Sequence, residues 1–384
     1  MQRGFSLVEL MIAMTIGLLL LTMVALIFQN VSNANKEQFL AAEQLENGRF
    51  AMDLITTDVR LAGFYGEFGA LPTIGASLPD PCAIPGEGDI QVSTTGSPLA
   101  FYIQNYPAAS VTASASIPTS CGTWIDSASL RPGSDILVVR RLATIALNDA
   151  GAVAPNTLAG VGRVYVQTSY DLMSMQYGTG ADTNLALNSP PLNEKGTATV
   201  LTRKDYSQPA TGSPPVYPTT AAYIRQLQVR VYFVSNCRQG SGTNGKCTSA
   251  DDTIPTLKRL ELSTNGAAPT MSLVPLVEGI EFMKVNLGID NASSISGKTV
   301  DGIVDSVVAA PISLADWQNI VMAEIHLIAR NVNSSSNAYS DAKTYDLGNS
   351  ITFTPSGAAA HFKRHAFVSR AYIENIGGRR EFTP

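Results

Sequence analysis

A single carboxylate lies inside an otherwise uncharged apolar stretch near the start of the chain. Glu9 is followed by nineteen uncharged residues, Leu10–Phe28, of which eleven are Leu, Ile, Val or Phe. A carboxylate within a membrane-spanning helix costs up to about 3 kcal/mol at its centre and less near an end, so such a residue is by default a functional candidate. Because the stretch contains no Lys or Arg, we expect the partner of Glu9 to come from another chain or from an N-terminal amine.

The other reactive residue types do not form a catalytic pattern. The glycines at 240–245 fit GxGxxG by letter, but no helix pattern follows, which favours a flexible loop over a phosphate cradle. His361 and His365 are four residues apart without the intervening Glu of a zinc hydrolase, which indicates a surface basic cluster. His326 lies on the polar side of a predicted strand, and we predict that it has a structural role or is solvated. We therefore predict no enzymatic activity, no metal and no cofactor.

Composition also limits the partners. The formal net charge is -5, from 26 Lys and Arg against 31 Asp and Glu, which argues against a nucleic-acid-binding surface. Only 15% of the residues are charged, whereas the 45% hydrophobic fraction is ordinary. The chain therefore has ample material for a core and is not disordered.

The element that carries Glu9 is long enough to cross a bilayer. A helix over Phe5–Phe28 would be about 36 Å long. A secretory signal peptide would have a shorter apolar core followed by a small-residue cleavage site. Arg3 is the only side-chain positive charge before the run, so the positive-inside rule places residues 1–4 in the cytoplasm and the chain beyond about Lys36 outside.

The helix is predicted to continue beyond the membrane, since no proline occurs before Pro72. Apolar residues recur at spacings of three and four and predict a stripe that packs on a sheet. Gly63 is a plausible stop. The predicted stripe consists of Leu45, Gly48, Met52, Ile55, Val59 and Ala62.

The segment from Arg3 to Ile12 reads RGFSLVELMI and resembles the class III leader of type IV pilins and pseudopilins. The resemblance implies that a prepilin peptidase cuts after Gly4 and that the new N-terminal residue, Phe5, is N-methylated. It also implies that Glu9 neutralises the Phe amine of a neighbouring subunit during filament assembly. Burial makes this pairing plausible, because an unpaired carboxylate in a filament core would cost several kcal/mol.

The exported position of the head predicts disulfides, which persist in oxidising compartments. The four cysteines allow three connectivities. We favour the two pairs that each fall within one loop-rich stretch. Closing such a loop with a disulfide stabilises the folded chain by on the order of 2–4 kcal/mol. These pairs are Cys82–Cys121 and Cys237–Cys247.

The exported region shows strand patterns separated by loops rich in Pro, Gly and Ser. Alternating apolar residues predict strands around Leu227–Phe233 and Val321–Leu327. Further candidates are Ile136–Ile145, Thr197–Thr202, Thr256–Leu262 and Phe367–Glu374. The predicted fold is α+β and type IV pilin-like: a long N-terminal helix packed on an antiparallel β-sheet, with long loop insertions.

A second resemblance lies in the last third of the chain. The block LVEGIEF at 276–282, the block DGIVD at 301–305 and the strand after Trp317 are similar to PilW-type minor pilins, as is DVRLAGF at 58–64. Residues from about 70 to 255 match nothing we can name. A Ser-rich stretch separates Asp290 from Asp301, so we interpret the acidic residues there as turn residues rather than calcium ligands.

Together these features predict a minor type IV pilin that helps to prime or cap pilus assembly near the filament tip. The resemblance implies four parts: a leader (1–4), a transmembrane or filament-core half-helix (5–33), an amphipathic half-helix (34–62) and an exported head (63–384). Expected partners are other minor pilins, the major pilin, the prepilin peptidase and methylase, and the inner membrane before assembly, with the head in the periplasm. After assembly the chain would lie in the extracellular pilus.

Two other functions stay open at this point. A pseudopilin of a type II secretion system shares the leader and the helix. A tip adhesin would use the region 70–255 as its binding surface, because loop insertions on a scaffold often carry binding. A membrane-anchored periplasmic hydrolase has no motif behind it and leaves Glu9 unexplained.

Overall fold

The structure is a computed structural model that describes residues 6–68, 72–84, 97–146, 162–168, 173–177, 222–290, 300–335 and 339–380. A 54-residue helix, α1 (Leu7–Arg60), begins this part of the chain, and antiparallel strands dominate the remainder. The predicted α+β class with a long N-terminal helix is confirmed. Gly4 and Phe5, the predicted processing residues, lie outside the described residues.

The larger sheet has seven antiparallel strands, with a hydrogen-bonded order of β1-β2-β5-β3-β4, while β6 pairs with β5 and β7 pairs with β6. The long strand β5 is its centre, because it pairs with β2, β3 and β6. These strands are β1 (Ile103–Tyr106), β2 (Ile136–Leu142), β3 (Val164–Thr168), β4 (Met173–Tyr177), β5 (Ile224–Ser235), β6 (Thr256–Thr264) and β7 (Pro269–Glu278).

The smaller sheet has four antiparallel strands and carries the helix. Its order is β13-β10-β8-β9, and a two-stranded sheet of β11 and β12 lies between β10 and β13 in the chain. A short helix, α2 (Glu374–Arg380), follows β13. The strands are β8 (Ile280–Ile289), β9 (Ser306–Val308), β10 (Ile320–Arg330), β11 (Tyr345–Asp346), β12 (Thr352–Phe353) and β13 (Arg364–Tyr372).

The glycine of the LVEGIEF block makes the tight connection between the two sheets. Gly279 joins β7 to β8 with a φ of +77°, a backbone conformation that favours glycine. A Cβ there would lie 2.6 Å from the carbonyl oxygen of Arg330, which is on the neighbouring strand β10. The Arg330 N–H also donates to the carbonyl of Gly279 at 2.7 Å. The block therefore contains glycine because two backbones meet at this point.

Most of the predicted strands are present. Leu227–Phe233 lies within β5, Val321–Leu327 within β10 and Thr256–Leu262 within β6. The other two predicted strands that can be compared differ from the structure at their ends. Strand β2 stops at Leu142 rather than at Ile145. Strand β13 runs from Arg364 to Tyr372 rather than from Phe367 to Glu374, and it stops early because α2 begins at Glu374. Thr197–Thr202 lies outside the described residues.

The second half of α1 packs on β10 and β13. Its buried positions include Leu40, Gly48, Ile55 and Val59, but also Gln44 in the same stripe. Leu45, predicted for the stripe, is instead 42% exposed, so this part of the prediction is wrong. The reason is that the Gln44 amide donates to the carbonyls of Ala329 (2.6 Å) and Lys363 (3.1 Å), which lets a polar residue take the buried position.

Gly48 sets how closely the helix approaches the sheet. A Cβ at this position would lie 2.1 Å from the ring of Phe367 on β13, so the ring occupies the space that glycine leaves empty. We expect Gly48→Val to displace the ring and lower the free energy of unfolding by about 1–3 kcal/mol, the usual cost of overpacking. Urea unfolding of the parent and variant proteins, each followed by circular dichroism, would measure the difference.

The Phe367→Ala background supplies the control for Gly48→Val. Without the ring, the valine side chain has room. The loss of free energy of unfolding caused by Gly48→Val should therefore be much smaller in this background than in the parent. An equal cost in both backgrounds would show that the ring is not what the glycine accommodates.

The helix ends where the sequence predicts. After Arg60 the chain leaves the helix, and Gly63 has a φ of +70°. The Gly63 N–H donates to the carbonyl of Arg140 on β2 at 3.1 Å. The end of α1 is therefore tied directly to the seven-stranded sheet, while the preceding turns lie on the four-stranded one.

The two predicted disulfide pairs are both present. Cys82 is bonded to Cys121, and Cys237 to Cys247, which is the connectivity that the sequence favours. The second bond closes the loop that contains the glycines of 240–245. That loop holds only a three-residue 3-10 turn, Thr243–Gly245, rather than a helix that would support a phosphate.

Candidate assembly site and the clusters that anchor the head

Glu9 lies at the exposed N-terminal end of α1. Ser6 caps the helix, and the Ser6 backbone N–H donates to Oε2 of Glu9 at 3.0 Å. This is half of a capping box, in which an acidic residue reaches back to the start of its own helix. The sequence predicts a partner for Glu9 from another chain or from an N-terminal amine, and the contact with Ser6 adds an acceptor role within the chain.

The first half of α1 is apolar and exposed along its whole length. Among the described residues it is the one helix long and apolar enough to cross a bilayer, and none of its most apolar 18-residue window is buried against the head. The hydroxyl of Thr15 donates to the carbonyl of Ile12 at 2.9 Å, and that of Thr22 donates to the carbonyl of Leu18. Both hydroxyls are thus satisfied within the helix, as a hydrocarbon environment requires.

Asp58 joins the end of α1 to the seven-stranded sheet. Its Oδ1 lies 3.1 Å from a guanidinium nitrogen of Arg141 and also accepts from Arg230, while its Oδ2 accepts from the hydroxyl of Tyr232. Burial alone would raise the pKa of Asp58, but the hydrogen bonds and charges of these partners outweigh it and lower the pKa. The first residue of the DVRLAGF block is therefore a structural anchor.

A second buried cluster is centred on Glu281, in the LVEGIEF block. Nε of Arg364 donates to Oε2 of Glu281 at 2.5 Å, and guanidinium nitrogens of Arg364 and Arg131 each lie 3.2 Å from Oε1. A further nitrogen of Arg364 lies 3.3 Å from Asp341, which also accepts from the Tyr345 hydroxyl at 2.9 Å. The cluster ties β8 and β13 to the segment before β11.

The charges in this cluster stabilise one another. The side chains of Glu281, Asp341 and Arg364 are fully buried. Burial would lower the pKa of Arg364, but the hydrogen bonds and charges of Glu281 and Asp341 outweigh it and raise the pKa. The arginine is therefore held in its charged form by the two carboxylates that it joins.

A third buried pair connects the two sheets. Nζ of Lys284 on β8 lies 2.6 Å from Oδ1 of Asp135, which precedes β2. The other carboxylate oxygen accepts from the Val285 N–H at 3.0 Å, and the Asp135 N–H donates to the carbonyl of Met283 at 2.8 Å. The pair thus fixes β8 of the four-stranded sheet against the start of a strand in the larger one.

The acidic residues at 290 and 301 accept hydrogen bonds from backbone N–H groups. Oδ2 of Asp290 accepts from the N–H of Gly302 at 3.0 Å, and Oδ1 of Asp301 accepts from the N–H of Ile303 at 3.0 Å. Asp80 lies near two cysteine sulfurs, but these sulfurs form the Cys82–Cys121 disulfide. These contacts fit turn and loop ordering, and the intervening residues 291–299 lie outside the described part of the chain.

The three histidines lie on different elements, and each has its own set of contacts. His361 ends a 3-10 turn and its Nδ1 lies 2.8 Å from the carbonyl of Tyr339, whereas His365 is on β13 with its ring 4.7 Å from that of Phe367. His326 is on the polar side of β10, as predicted, but it is 8% exposed rather than solvated, with Nε2 2.9 Å from Glu324.

Two parts of the chain are similar to known families. Residues 1–25 match the prokaryotic N-terminal methylation motif, and residues 231–375 match the family described as type IV pilus-assembly protein W. Together with the exposed apolar helix, the matches support a type IV pilus-related pilin. The predicted resemblance to PilW-like type IV minor pilins is confirmed by them. No curated protein and no solved structure matches the chain significantly.

The matched regions contain two of the features described above. The N-terminal match includes Glu9, and the longer match runs from β5 into α2 and includes Glu281 and Arg364. The longer match begins at residue 231, so it includes the last part of the region 70–255, a similarity that the sequence alone did not reveal. The buried partners of Glu281 were also missed, because they come from segments 83 and 150 residues away.

Proposed function

We propose that this chain is a minor pilin that primes or caps assembly of a type IV pilus and acts near the filament tip. The observation that carries the proposal is the placement of Glu9 at the end of an exposed apolar helix whose other half is fixed to a folded head. The role is structural rather than enzymatic. Before assembly, the helix would span the inner membrane and the head would lie in the periplasm.

The proposed assembly step exchanges one partner of Glu9 for another. Cleavage after Gly4 by the prepilin peptidase and methylation of Phe5 would leave a charged amine at the end of the helix. The Glu9 carboxylate, which accepts from the Ser6 N–H in the isolated chain, would then pair with the amine of a neighbouring pilin. A charge-assisted contact in an apolar filament core is favoured, because either charge alone would be costly there.

The apolar side chains of α1 support the same step. In the membrane they contact lipid, and in a filament they would contact the helices of other minor pilins and of the major pilin. Their surface stays out of water in both states, so transfer between the two loses little hydrophobic stabilisation. The match to a pilus-assembly family favours a pilus over a type II secretion system.

Deleting the gene and counting surface pili tests the proposal. We expect pilus number to fall strongly, and to recover when pilus retraction is also removed, because a primer promotes assembly that retraction otherwise reverses. Loss in both strains would make the chain indispensable for assembly. Normal pilus number in both strains, together with reduced secretion of exported proteins, would overturn the proposal in favour of a pseudopilin.

A further inference from the structure

A cavity of about 360 Å³ lies between the Cys237–Cys247 loop and strands β6 and β7 of the larger sheet. Leu273 and other apolar residues of β7 form one side, and the half-buried indole of Trp124 lines another. The loop is held over this space from outside, since the Asn244 amide donates to the carbonyl of Thr123 at 3.1 Å. The disulfide Cys237–Cys247 closes this loop.

A buried cation faces this cavity. Lys258 on β6 lines it and is only 2% exposed. The one hydrogen-bond contact of its Nζ among the described residues is with Sγ of Cys237 at 3.7 Å, and a disulfide sulfur is a weak acceptor. Burial lowers the pKa of Lys258, against the opposing charges of Asp252 and Asp251. A buried ammonium without a strong acceptor is costly, so this position favours an anionic ligand.

Further charged side chains lie around Lys258. Arg238 lines the mouth of the cavity, 52% exposed, with only long contacts of 3.8 Å to Asp252 and 3.7 Å to Glu278. Asp251 and Asp252 themselves accept backbone N–H groups of the loop. Two cations therefore line the cavity, and three carboxylates near them offset their charge.

The remaining lining fits a hydroxylated ring. Trp124 offers one aromatic face, and the polar side chains of Gln239, Asn244 and Ser272 lie around the same space. Sites that bind small molecules combine apolar or aromatic walls with a few polar groups and span about 300–1,000 Å³. This cavity is at the lower end of that range, which suits one or two sugar units rather than a larger ligand.

We propose that this cavity binds an acidic sugar, a pyranose that carries one carboxylate. The carboxylate would lie between Lys258 and Arg238, the ring against Trp124, and the hydroxyl groups toward Asn244 and Ser272. The site is in the head and far along the chain from Glu9, so it does not depend on the proposed role in assembly.

Titrating the purified full-length chain, in detergent, with glucuronate and with glucose tests this proposal. The two sugars share a ring and differ in the carboxylate. Isothermal titration should detect glucuronate binding at millimolar concentrations and at least tenfold weaker binding of glucose.

Substitution of the buried cation gives the decisive comparison. Lys258→Met keeps the length and the apolar stem of the side chain and removes only the charge, so we expect a folded protein with at least tenfold weaker glucuronate binding. Lys343→Met, at an exposed lysine outside the cavity, is the matched control and should bind as the parent does. Equal glucuronate binding by Lys258→Met and the parent, equal binding of glucose and glucuronate, or no binding at millimolar glucuronate would each overturn the proposal.

Discussion

Replacing Glu9 by alanine is expected to remove the chain from sheared pili almost completely while its amount in the membrane stays unchanged. In a filament core, the loss of one partner of a buried ion pair costs about 3–5 kcal/mol. Since each 1.4 kcal/mol is a factor of ten, incorporation should fall by about a hundredfold or more. Membrane insertion should not suffer, because the variant helix carries no charge in its apolar stretch.

The measurement is an immunoblot of the chain in sheared pili and in inner membranes from the same cells. Glu46→Ala is the matched control, because Glu46 is an exposed acid on the same helix, in the half that packs on the head. This control should be incorporated normally.

Glu9→Gln separates the two roles of the carboxylate. A glutamine can still accept from the Ser6 N–H, but it has no charge to pair with an amine. Failure of both Glu9→Gln and Glu9→Ala is the expected result. If Glu9→Gln is incorporated like the parent, helix capping is the important function and the pairing with a neighbouring amine is wrong.

Replacing Arg364 by methionine is expected to destabilise the head by about 3–5 kcal/mol, because it leaves Asp341 and part of Glu281 buried without their cation. Glu281 retains only the half-buried Arg131 among its described ion-pair partners. Urea unfolding of the full chain in detergent, followed by the circular dichroism of the sheet, would measure the loss.

Arg370 provides an unusually close control for Arg364. Both arginines are on β13, and each donates from Nε to a carboxylate at 2.5 Å, but the side chain of Arg364 is fully buried and that of Arg370 is 67% exposed. Ion pairs that are largely solvated contribute little. We therefore expect Arg370→Met to have the same urea midpoint of unfolding as the parent. Similar midpoints for Arg364→Met and Arg370→Met would show that burial of the cluster does not stabilise the head.

The elements whose pattern lies in residues close together in the sequence were predictable. Nineteen uncharged residues predict a spanning helix, and alternation predicts β5 and β10, because both signals arise within one element. Strand β8 was missed as an element for the opposite reason. All ten of its residues are buried, so it shows no alternation, and it includes Glu281 and Lys284, which a hydrophobic pattern excludes from a core.

The functional residues also divide into those that the local sequence predicts and those that depend on contacts between distant segments. Glu9 was found because a charge inside an apolar run is visible locally, and the disulfide pairs were favoured because each closes within one stretch. The anchoring clusters and the cavity require contacts between distant segments. Lys284 is 149 residues from Asp135, and Trp124 lines the same cavity as Lys258, which comes from a distant segment of the chain.

The contacts along α1 also decide how the head carries mechanical load. Near one end of the packed stretch, Glu37 lies 2.5 Å from Nζ of Lys363, and near the other, Asp58 accepts from two arginines and a tyrosine. These attachments are about 32 Å apart along the helix. A pull along the helix axis would strain them simultaneously, in shear, whereas a sideways pull would peel them apart one after another. The head is therefore built to resist tension in the direction in which its helix runs.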